Sequence, residues 1–324
     1  MKNILLIAFF SAFLISCNNN EHFNTQTNGS SGDLIIFHAG SLSVPFKEIS
    51  SAFEKENPGV NILLEASGSR TCARKITDMK KDCDIMASAD YTVIDQLLIP
   101  AFASWNIKFA SNEMCIVFTE KSKFNEEINQ DNWMDILLKK EVIYGRSDPD
   151  ADPCGYRAVL TMNLAEKYYE RPGLADSLKK KNRNYIRPKE TDLLGLLESA
   201  NIDYIFLYRS VAKQHGLKYL LLPDEVNLKN PDLAALYNTA RVEISGKKPG
   251  EKITKQGEPM VYGITIINNA PNKNVALKFV QFLLEKENGM KIMEENGQPS
   301  IVPEKCETYN AVPAELKKFV KSNG

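Results

Sequence analysis

The chain has 324 residues, of which 43% are hydrophobic and 25% are charged, and this composition and length suit a globular protein of two domains. A formal net charge of −1 excludes the broad basic surface that proteins use to hold nucleic acid or an anionic membrane. Three histidines without a His/Cys spacing motif argue against a zinc site.

The chain begins with a pattern typical of a targeting segment. Lys2 gives a positive start, and residues 4–15 are almost wholly apolar, a run too short to span a membrane. The run ends in Leu14-Ile15-Ser16-Cys17, which resembles the bacterial lipobox that precedes a lipidated cysteine. We therefore predict a lipoprotein signal peptide over residues 1–16 and lipidation of Cys17. The alternative is an ordinary signal peptide followed by an incidental cysteine.

A polar segment follows. Residues 18–32 contain a single aromatic side chain and cannot bury enough surface to fold. After a lipidated Cys17, residues 17–32 are expected to form a flexible tether. The remaining cysteines are odd in number and irregularly spaced, so the sequence does not decide whether any disulfide forms. These are Cys72, Cys83, Cys115, Cys154 and Cys306.

Strands and helices then alternate. Residues 34–37 are typical of a buried strand, and the next apolar residues recur at spacings of four, three and four, which predicts one face of a helix. These residues are Leu42, Phe46, Ile49 and Phe53. Asn57-Pro58-Gly59 ends the helix. A strand over 60–64, a helix over 71–79 and a strand over 84–87 complete two βαβ units, which predict a parallel sheet.

The alternation resumes after residue 111, so a second α/β unit is expected. The predicted strands are 114–118, 142–144 and 204–208, and the predicted helices are 133–138, 156–169 and 190–199. Near the end of the chain, a strand over 262–267 precedes a helix over 275–284. Open α/β sheets bind ligands beyond the carboxyl ends of their strands. The loops at those ends are therefore the candidate site.

Three of these loops share one design. Residues 38–43, 65–71 and 147–156 each place small residues, most with hydroxyls, directly before a predicted helix. Free backbone N–H groups and the helix dipole at such positions bind anions. A single loop of this kind is more often an ordinary N-cap. Three loops divided between two α/β units favour an anion site.

The residues from His38 to about Pro303 resemble the archaeal-type molybdate/tungstate substrate-binding proteins of ABC transporters. The likeness rests on six stretches in order. They are His38-Ala39-Gly40-Ser41-Leu42-Ser43, Glu65-Ala66-Ser67-Gly68-Ser69, Ala87-Ser88-Ala89-Asp90-Tyr91, Asp152-Pro153-Cys154-Gly155-Tyr156-Arg157, Ile186-Arg187-Pro188-Lys189-Glu190 and Val261-Tyr262-Gly263-Ile264-Thr265-Ile266. The segment 171–185 looks shorter than in that family, which affects the surface of the second lobe rather than the cleft.

The resemblance implies a type II periplasmic-binding-protein fold. Each of its two lobes has a central, mainly parallel sheet flanked by helices, and the ligand lies in the cleft between the lobes. Lobe 1 would comprise residues 33–110 plus 262–324, and lobe 2 residues 111–261. The crossovers, and with them a hinge, would fall near Ser111 and Val261.

The resemblance also implies the ligand contacts. Gly40 would allow close approach, and Ser41 and Ser69 would donate from lobe 1, with Ser67 as an alternative to Ser69. Tyr208 would donate its phenol hydrogen from lobe 2. The helix start in lobe 2 would be formed by Asp152, Pro153 and Cys154.

By the same likeness, Asp152 and Glu190 would contact the metal centre of the oxyanion. From the residues alone, Asp152 is an N-cap and Glu190 a solvated residue of a first helical turn. Mo(VI) and W(VI) are hard centres that can expand from four to six oxygen ligands, and carboxylates suit them. Sulfur in sulfate has no such option, so the same carboxylates would repel sulfate and phosphate.

The resulting hypothesis is an exported solute-binding lipoprotein. It would deliver tungstate or molybdate to an ABC permease and ATPase, as a monomer held to the membrane by the lipid on Cys17, with no cofactor and no nucleic-acid partner. A receptor for sulfate or phosphate is the nearest alternative. An exported enzyme or a signalling module on the same fold is the other, although no Ser/His/Asp set, nucleophile elbow or metal triad appears. His38, Arg70, Arg74 and Arg157 are expected to be structural or surface residues.

Overall fold

The computed structural model describes residues 31–248 and 250–322. The predicted signal peptide, the lipidation site Cys17 and the predicted tether up to residue 30 lie outside these residues. Within the described ranges, no helix has both the length and the apolar character that crossing a membrane requires.

The secondary structure alternates along the chain. The strands, in chain order, are β1 (Ser31–Ala39), β2 (Gly59–Ser67), β3 (Ile85–Ser88), β4 (Ile107–Ser111), β5 (Met114–Phe118), β6 (Tyr144–Ser147), β7 (Ile186–Arg187), β8 (Tyr204–Tyr208), β9 (Lys218–Leu221), β10 (Arg241–Ser245), β11 (Lys252–Gln256), β12 (Val261–Ile266), β13 (Glu304–Lys305) and β14 (Val320–Lys321). The α-helices are α1 (Ser43–Glu56), α2 (Ser69–Thr77), α3 (Tyr91–Leu97), α4 (Trp133–Leu138), α5 (Pro153–Tyr168), α6 (Leu174–Lys180), α7 (Leu194–Glu198), α8 (Arg209–Gln214), α9 (Asp224–Asn227), α10 (Ala234–Tyr237), α11 (Lys273–Leu284) and α12 (Lys291–Glu295). Shorter helical turns cover Gly40–Leu42, Arg183–Tyr185, Glu190–Leu193, Pro231–Leu233, Lys286–Met290, Tyr309–Ala311 and Ala314–Phe319.

The first lobe is built on a sheet with the strand order β2-β1-β3-β12-β4. Strand β1 pairs in parallel with β2 and β3, whereas β12 pairs antiparallel with β3 and β4. All strands but β12 therefore run in one direction. Helices α1 and α11 cover one face, where the rings of Phe53 and Phe279 meet with centroids 5.3 Å apart. Helices α2 and α3 cover the other face, where Phe37 packs with Ile76.

The second lobe repeats this plan with the strand order β7-β6-β8-β5-β9. Strand β6 pairs in parallel with β7 and β8, and β5 pairs antiparallel with β8 and β9. Its core contains Trp133 and Tyr144, whose rings lie 6.0 Å and 5.8 Å from that of Phe206. The two sheets with their flanking helices confirm the predicted two-lobed α/β fold.

Two crossovers join the lobes, one between β4 and β5 and one that enters β12. Ser111 and Val261, the residues where the hinge is predicted, are paired partners across β4 and β12. Next to them, Nδ2 of Asn112 donates to Ser210 Oγ at 2.7 Å and to the Tyr262 hydroxyl at 2.8 Å. The crossover region is thus tied to β12 in lobe 1 and to α8 in lobe 2 by buried hydrogen bonds.

The predicted elements of both sheets are present, with shifts of a few residues at their ends. Strand β6 begins at Tyr144 rather than Val142, and the helix predicted over 190–199 divides into the turn Glu190–Leu193 and α7. Strand β1 begins at Ser31, which pairs with Gly59, so residues 31 and 32 of the expected tether belong to the sheet. The sequence patterns do not predict strands β4, β7, β9 to β11, β13 and β14.

Candidate functional site

The first loop of lobe 1 brings a serine hydroxyl to the carboxyl edge of the sheet. Gly40 and Ser41 form the turn between β1 and α1, and both are buried. The Ser41 Oγ accepts a hydrogen bond of 3.0 Å from the Tyr262 hydroxyl, and Gln298 Nε2 donates to the Ser41 carbonyl at 2.9 Å. Because the oxygen of this side chain already accepts, its own hydrogen remains to be donated.

The second loop places Ser69 beside this turn. Ser69 is the first residue of α2, is fully buried, and its Oγ accepts from the Ala89 N–H at 3.0 Å. Ser67 is only partly buried, and its Oγ is engaged by Lys75 Nζ at 2.6 Å. The geometry therefore favours Ser69 over Ser67 as the donor from this loop.

In lobe 2, helix α5 begins at the third loop. Asp152 is its N-cap, with Oδ1 accepting from the Cys154 N–H at 3.2 Å, and Pro153 is the first helical residue. Proline suits this position because its missing N–H would have no helical partner. Oδ2 of Asp152 faces the neighbouring loop and accepts from the Glu190 N–H at 3.0 Å.

Glu190 reaches across the cleft to lobe 1. Its side chain is fully buried, so the interpretation of a solvated first-turn residue is wrong. A Cβ added to Gly40 would lie 2.8 Å from Glu190 Oε2, which shows that only a glycine there allows this approach. Within the described part of the chain, neither carboxylate oxygen of Glu190 has a hydrogen-bond partner. The lobes meet again where Thr71 N–H donates to the Ala151 carbonyl at 3.2 Å.

The two carboxyl groups are costly to ionise in this position. Burial raises the pKa of Asp152, although the hydrogen bonds that it accepts from the main-chain N–H groups of Cys154 and Glu190 oppose that rise. Burial, followed by the nearby charge of Asp152, raises the pKa of Glu190 well above its usual range. A pair of desolvated carboxyl groups favours a proton or a cationic centre between them.

Tyr208 ends β8 at the same edge. Its phenol oxygen accepts a hydrogen bond of 3.0 Å from Arg157 Nη1 on α5, and burial raises the pKa of this phenol well above its usual value. Tyr208 is thus protonated, and among the described residues no acceptor takes its hydrogen.

The predicted residues therefore divide into two kinds. Ser41, Ser69 and Tyr208 each accept one hydrogen bond from the protein and each retain an O–H to donate. Asp152 and Glu190 supply buried carboxyl oxygens, which only accept when the groups are ionised. Hydroxyl donors together with carboxylate acceptors suit a ligand that presents both negative oxygens and a centre that takes further oxygen ligands.

Arg70 and Arg157 are not surface residues, contrary to expectation. Arg70 is 1% exposed, and from lobe 1 its Nε donates to the Asp150 carbonyl in lobe 2 at 3.2 Å. Arg157 is 2% exposed and donates from lobe 2 to the Ala89 carbonyl in lobe 1 at 2.7 Å. The helical pattern cannot reveal this, because the surface that covers each arginine belongs to the other lobe.

A buried ion cluster lies beside Arg157. Asp90, the N-cap of α3, lies 3.0 Å from Lys255 Nζ and accepts from the Tyr156 hydroxyl. Burial acts against ionisation, but the charges of Lys255 and Arg157 prevail and hold the pKa of Asp90 well below its usual range. Asp90 and Lys255 therefore remain charged and hold lobe 1 against the segment that leads to β12.

The side chains of the other residues that the sequence singled out contact the protein's own main chain. Cys154 and Cys72 donate their thiol hydrogens to the carbonyls of Phe206 and His38, and burial raises the pKa of both thiols, that of Cys72 to about 12. All five described cysteines are free and buried. Burial lowers the pKa of His38 to about 4, so its imidazole is neutral. Arg74 is partly exposed and approaches the Gly246 carbonyl.

The structure adds residues that the sequence did not assign to the site. Tyr262 and Arg157 hold two of the three donor hydroxyls, those of Ser41 and Tyr208, and both lie in stretches that carry the family resemblance. Ser147 lies in the third loop. Its side chain is fully buried at the end of β6, where the loop that leads to Asp152 begins. A separate cavity of about 560 Å³, with Ser111 and Val261 in its largely apolar wall, contains none of the predicted ligand contacts.

Comparison with known proteins relates this arrangement to a family. Residues 34–297 match the family described as bacterial extracellular solute-binding protein. An uncharacterized solute-binding protein of Petrotoga mobilis is 51% identical over 294 residues, covering 90% of each chain. The molybdate/tungstate-binding protein WtpA of Thermococcus kodakarensis is 41% identical over 346 aligned positions, covering 98% of this chain and 95% of its own. The periplasmic molybdate-binding protein of Azotobacter vinelandii shares the fold, with a TM-score of 0.61 at 15% identity, over 82% of this chain and 98% of that structure.

Proposed function

The chain belongs to the family of bacterial extracellular solute-binding proteins, and on that basis we propose that its solute is tungstate or molybdate, captured between the two lobes. The ligand contacts are Gly40, Ser41, Ser69, Asp152, Pro153, Cys154, Glu190 and Tyr208. The relative from Thermococcus kodakarensis carries the name molybdate/tungstate-binding protein, which supports this choice of anion.

One observation carries the proposal. Both carboxylate oxygens of Glu190 are buried without a hydrogen-bond partner in the described chain, next to the carboxyl group of Asp152 and opposite the Gly40 turn. Unpaired buried acceptors are costly unless a ligand satisfies them. A hard metal centre that accepts two further oxygens satisfies them directly.

The same carboxylates select against other anions. When both groups are ionised, a tetrahedral dianion that cannot expand its coordination meets two like charges in a desolvated cleft, where they repel more strongly than in water. Sulfate and phosphate are anions of this kind. Tungstate and molybdate turn that repulsion into coordination, because the carboxylates bind the metal while the hydroxyls of Ser41, Ser69 and Tyr208 donate to the oxo groups.

We propose further that the protein is exported and anchored by a lipid on Cys17, with residues 18–30 as the tether. From there it would deliver the anion to an ABC permease and ATPase, as a monomer. The role is one of binding and release, without catalysis and without a cofactor.

Isothermal titration calorimetry with tungstate, molybdate, sulfate and phosphate tests the proposed solute. We expect tungstate or molybdate to bind at least 100-fold more tightly than sulfate, which is a difference in binding free energy of about 2.7 kcal/mol. Equal affinity for sulfate, or binding of phosphate alone, would overturn the choice of anion and leave the solute-binding family intact.

A further inference from the structure

Arg157 connects three parts of the cleft. Its Nη1 donates both to the Ala89 carbonyl of lobe 1, at 2.7 Å, and to the phenol oxygen of Tyr208 in lobe 2, at 3.0 Å. Its Nη2 lies 3.9 Å from the carboxylate of Asp90 and has no hydrogen-bond partner in the described chain. The guanidinium is 2% exposed. One nitrogen therefore donates both to a carbonyl of lobe 1 and to the hydroxyl of lobe 2 that is predicted to donate to the anion.

The contact with Arg157 determines what Tyr208 can do. A phenol oxygen that accepts from a guanidinium can use its own hydrogen only as a donor to another group. A charge-assisted hydrogen bond to that oxygen also polarises the O–H and makes it a stronger donor to an anion. Without Arg157, the Tyr208 hydroxyl would be free to rotate and to act as an acceptor instead. An oxyanion has no hydrogen to donate to such an acceptor.

We propose that Arg157 is a positioning residue for anion capture, which fixes Tyr208 as an obligate hydrogen-bond donor and couples that donor to the contact between the lobes. The proposal rests on the proposed function, in which Tyr208 donates to an oxo group. Because Nη1 is shared with Ala89, the arginine holds Tyr208 in this orientation when the lobes are in contact. Arg157 does not itself contact the ligand, and its positive charge is balanced by Asp90.

Arg70 is a matched control within the same cleft. It is also a buried arginine that bridges the lobes, through the carbonyls of Asp150 and Ser245, but its side chain donates to none of the predicted ligand residues. If the loss of affinity came only from removing a buried arginine that bridges the lobes, substitution of Arg70 and substitution of Arg157 would both show it. An effect that passes through Tyr208 appears only at Arg157.

A double-mutant cycle measured by tungstate calorimetry separates these roles. Tyr208→Phe and Arg157→Met should each weaken binding roughly 10-fold, the size expected for one charge-assisted hydrogen bond. The double substitution should be no weaker than Tyr208→Phe alone. Arg70→Met should weaken binding by the same factor in the wild-type and Tyr208→Phe backgrounds.

If Arg157→Met lowers the affinity by the same factor in both backgrounds, Arg157 does not act through Tyr208 and the inference is overturned. Where thermal unfolding shows that Arg157→Met does not fold, Arg157→Lys takes its place in the same cycle. Lysine keeps the positive charge but lacks the guanidinium that donates to both Ala89 and Tyr208. Wild-type protein that binds neither tungstate nor molybdate would overturn the proposed function together with this inference. Wild-type binding with an additive cycle would overturn this inference alone.

Discussion

The main-chain N–H of Glu190 donates a hydrogen bond of 3.0 Å to Oδ2 of Asp152, and this bond places two buried carboxyl groups side by side at the cleft. Oδ1 of the same aspartate caps helix α5. Asp152 is thus both the N-cap that the residues alone suggest and a neighbour of Glu190. The two roles coexist because a carboxylate has two oxygens that accept independently.

Glu190→Gln is expected to stabilise the ligand-free protein at neutral pH. The pKa of Glu190 is raised above its usual 4.5 in the folded protein, so its contribution is fully present below that value and is lost as the pH rises through the folded value. Removing the acid should raise the melting temperature at pH 7.5 by roughly 2 °C, for about 1 kcal/mol. Circular dichroism of thermal unfolding between about pH 5 and pH 8 measures this.

The control for that series is Glu198→Gln, which removes an exposed glutamate from the helix after Glu190. It should leave the pH dependence of the melting temperature as in the wild type. A Glu190→Gln variant whose melting temperature falls with pH as steeply as the wild type would show that Glu190 is not the group responsible.

Replacing Asp152 with Asn and Glu190 with Gln together should change selectivity. The shapes are kept while both charges are lost, so tungstate and molybdate should lose affinity by at least the roughly 10–100-fold seen when only outer-sphere partners of a metal are removed. Sulfate should lose nothing, and its affinity should rise if repulsion is the main barrier. Calorimetry with both anions gives the ratio. A constant tungstate-to-sulfate ratio would mean that neither carboxylate binds the metal and that Asp152 serves only as a cap, since Asn caps about as well as Asp.

Binding of tungstate should close the lobes about the region of Ser111 and Val261. The donors lie in both lobes, so the full set forms only when the lobes meet. Small-angle scattering should show a smaller radius of gyration with tungstate than without it. The Asp152→Asn, Glu190→Gln double variant, measured at a tungstate concentration that saturates only the wild type, provides the control. An unchanged radius in the wild type at saturating tungstate would argue against the hinge.

Cys17 should be the N-terminal residue of the mature protein and should carry lipid. Several acyl chains hold a protein to a membrane firmly, whereas one chain does so only marginally. Mass spectrometry of protein from the native membrane should find cleavage before Cys17 and a diacylglyceryl mass. Cleavage at another bond, or an unmodified cysteine, would refute the anchor, and Cys17→Ser should release the protein from the membrane fraction.

Much of the fold was predictable because strands alternate with helices along the chain. The apolar spacing of Phe46 and Phe53 identified α1, and both side chains are buried as expected. Strands β10 and β11 were missed because they form a separate two-stranded ribbon in which only one residue per strand is buried. The two residues of β7 carry too short a pattern for any periodicity to appear.

Only those parts of the candidate site that depend on residues close together in the chain were predictable from sequence patterns. Turn chemistry pointed only to the loops that contain Ser41, Ser69 and Asp152, and the family resemblance singled out these residues within them. Glu190 required the family resemblance, because its burial comes from Gly40 in the other lobe. Arg157 was assigned to the surface for the same reason, since nothing within α5 shows that Ala89 and Asp90 cover that face. Contacts between residues far apart in the chain are what sequence periodicity leaves undetermined.

The central claim is that Asp152 and Glu190 complete the oxygen shell of the captured metal. X-ray absorption at a tungsten edge, on the protein loaded with one equivalent of tungstate, measures that shell directly. The account predicts about six oxygen neighbours in two groups, short oxo oxygens and longer carboxylate oxygens. A single group of about four equivalent short oxygens, as in free tungstate, would contradict it.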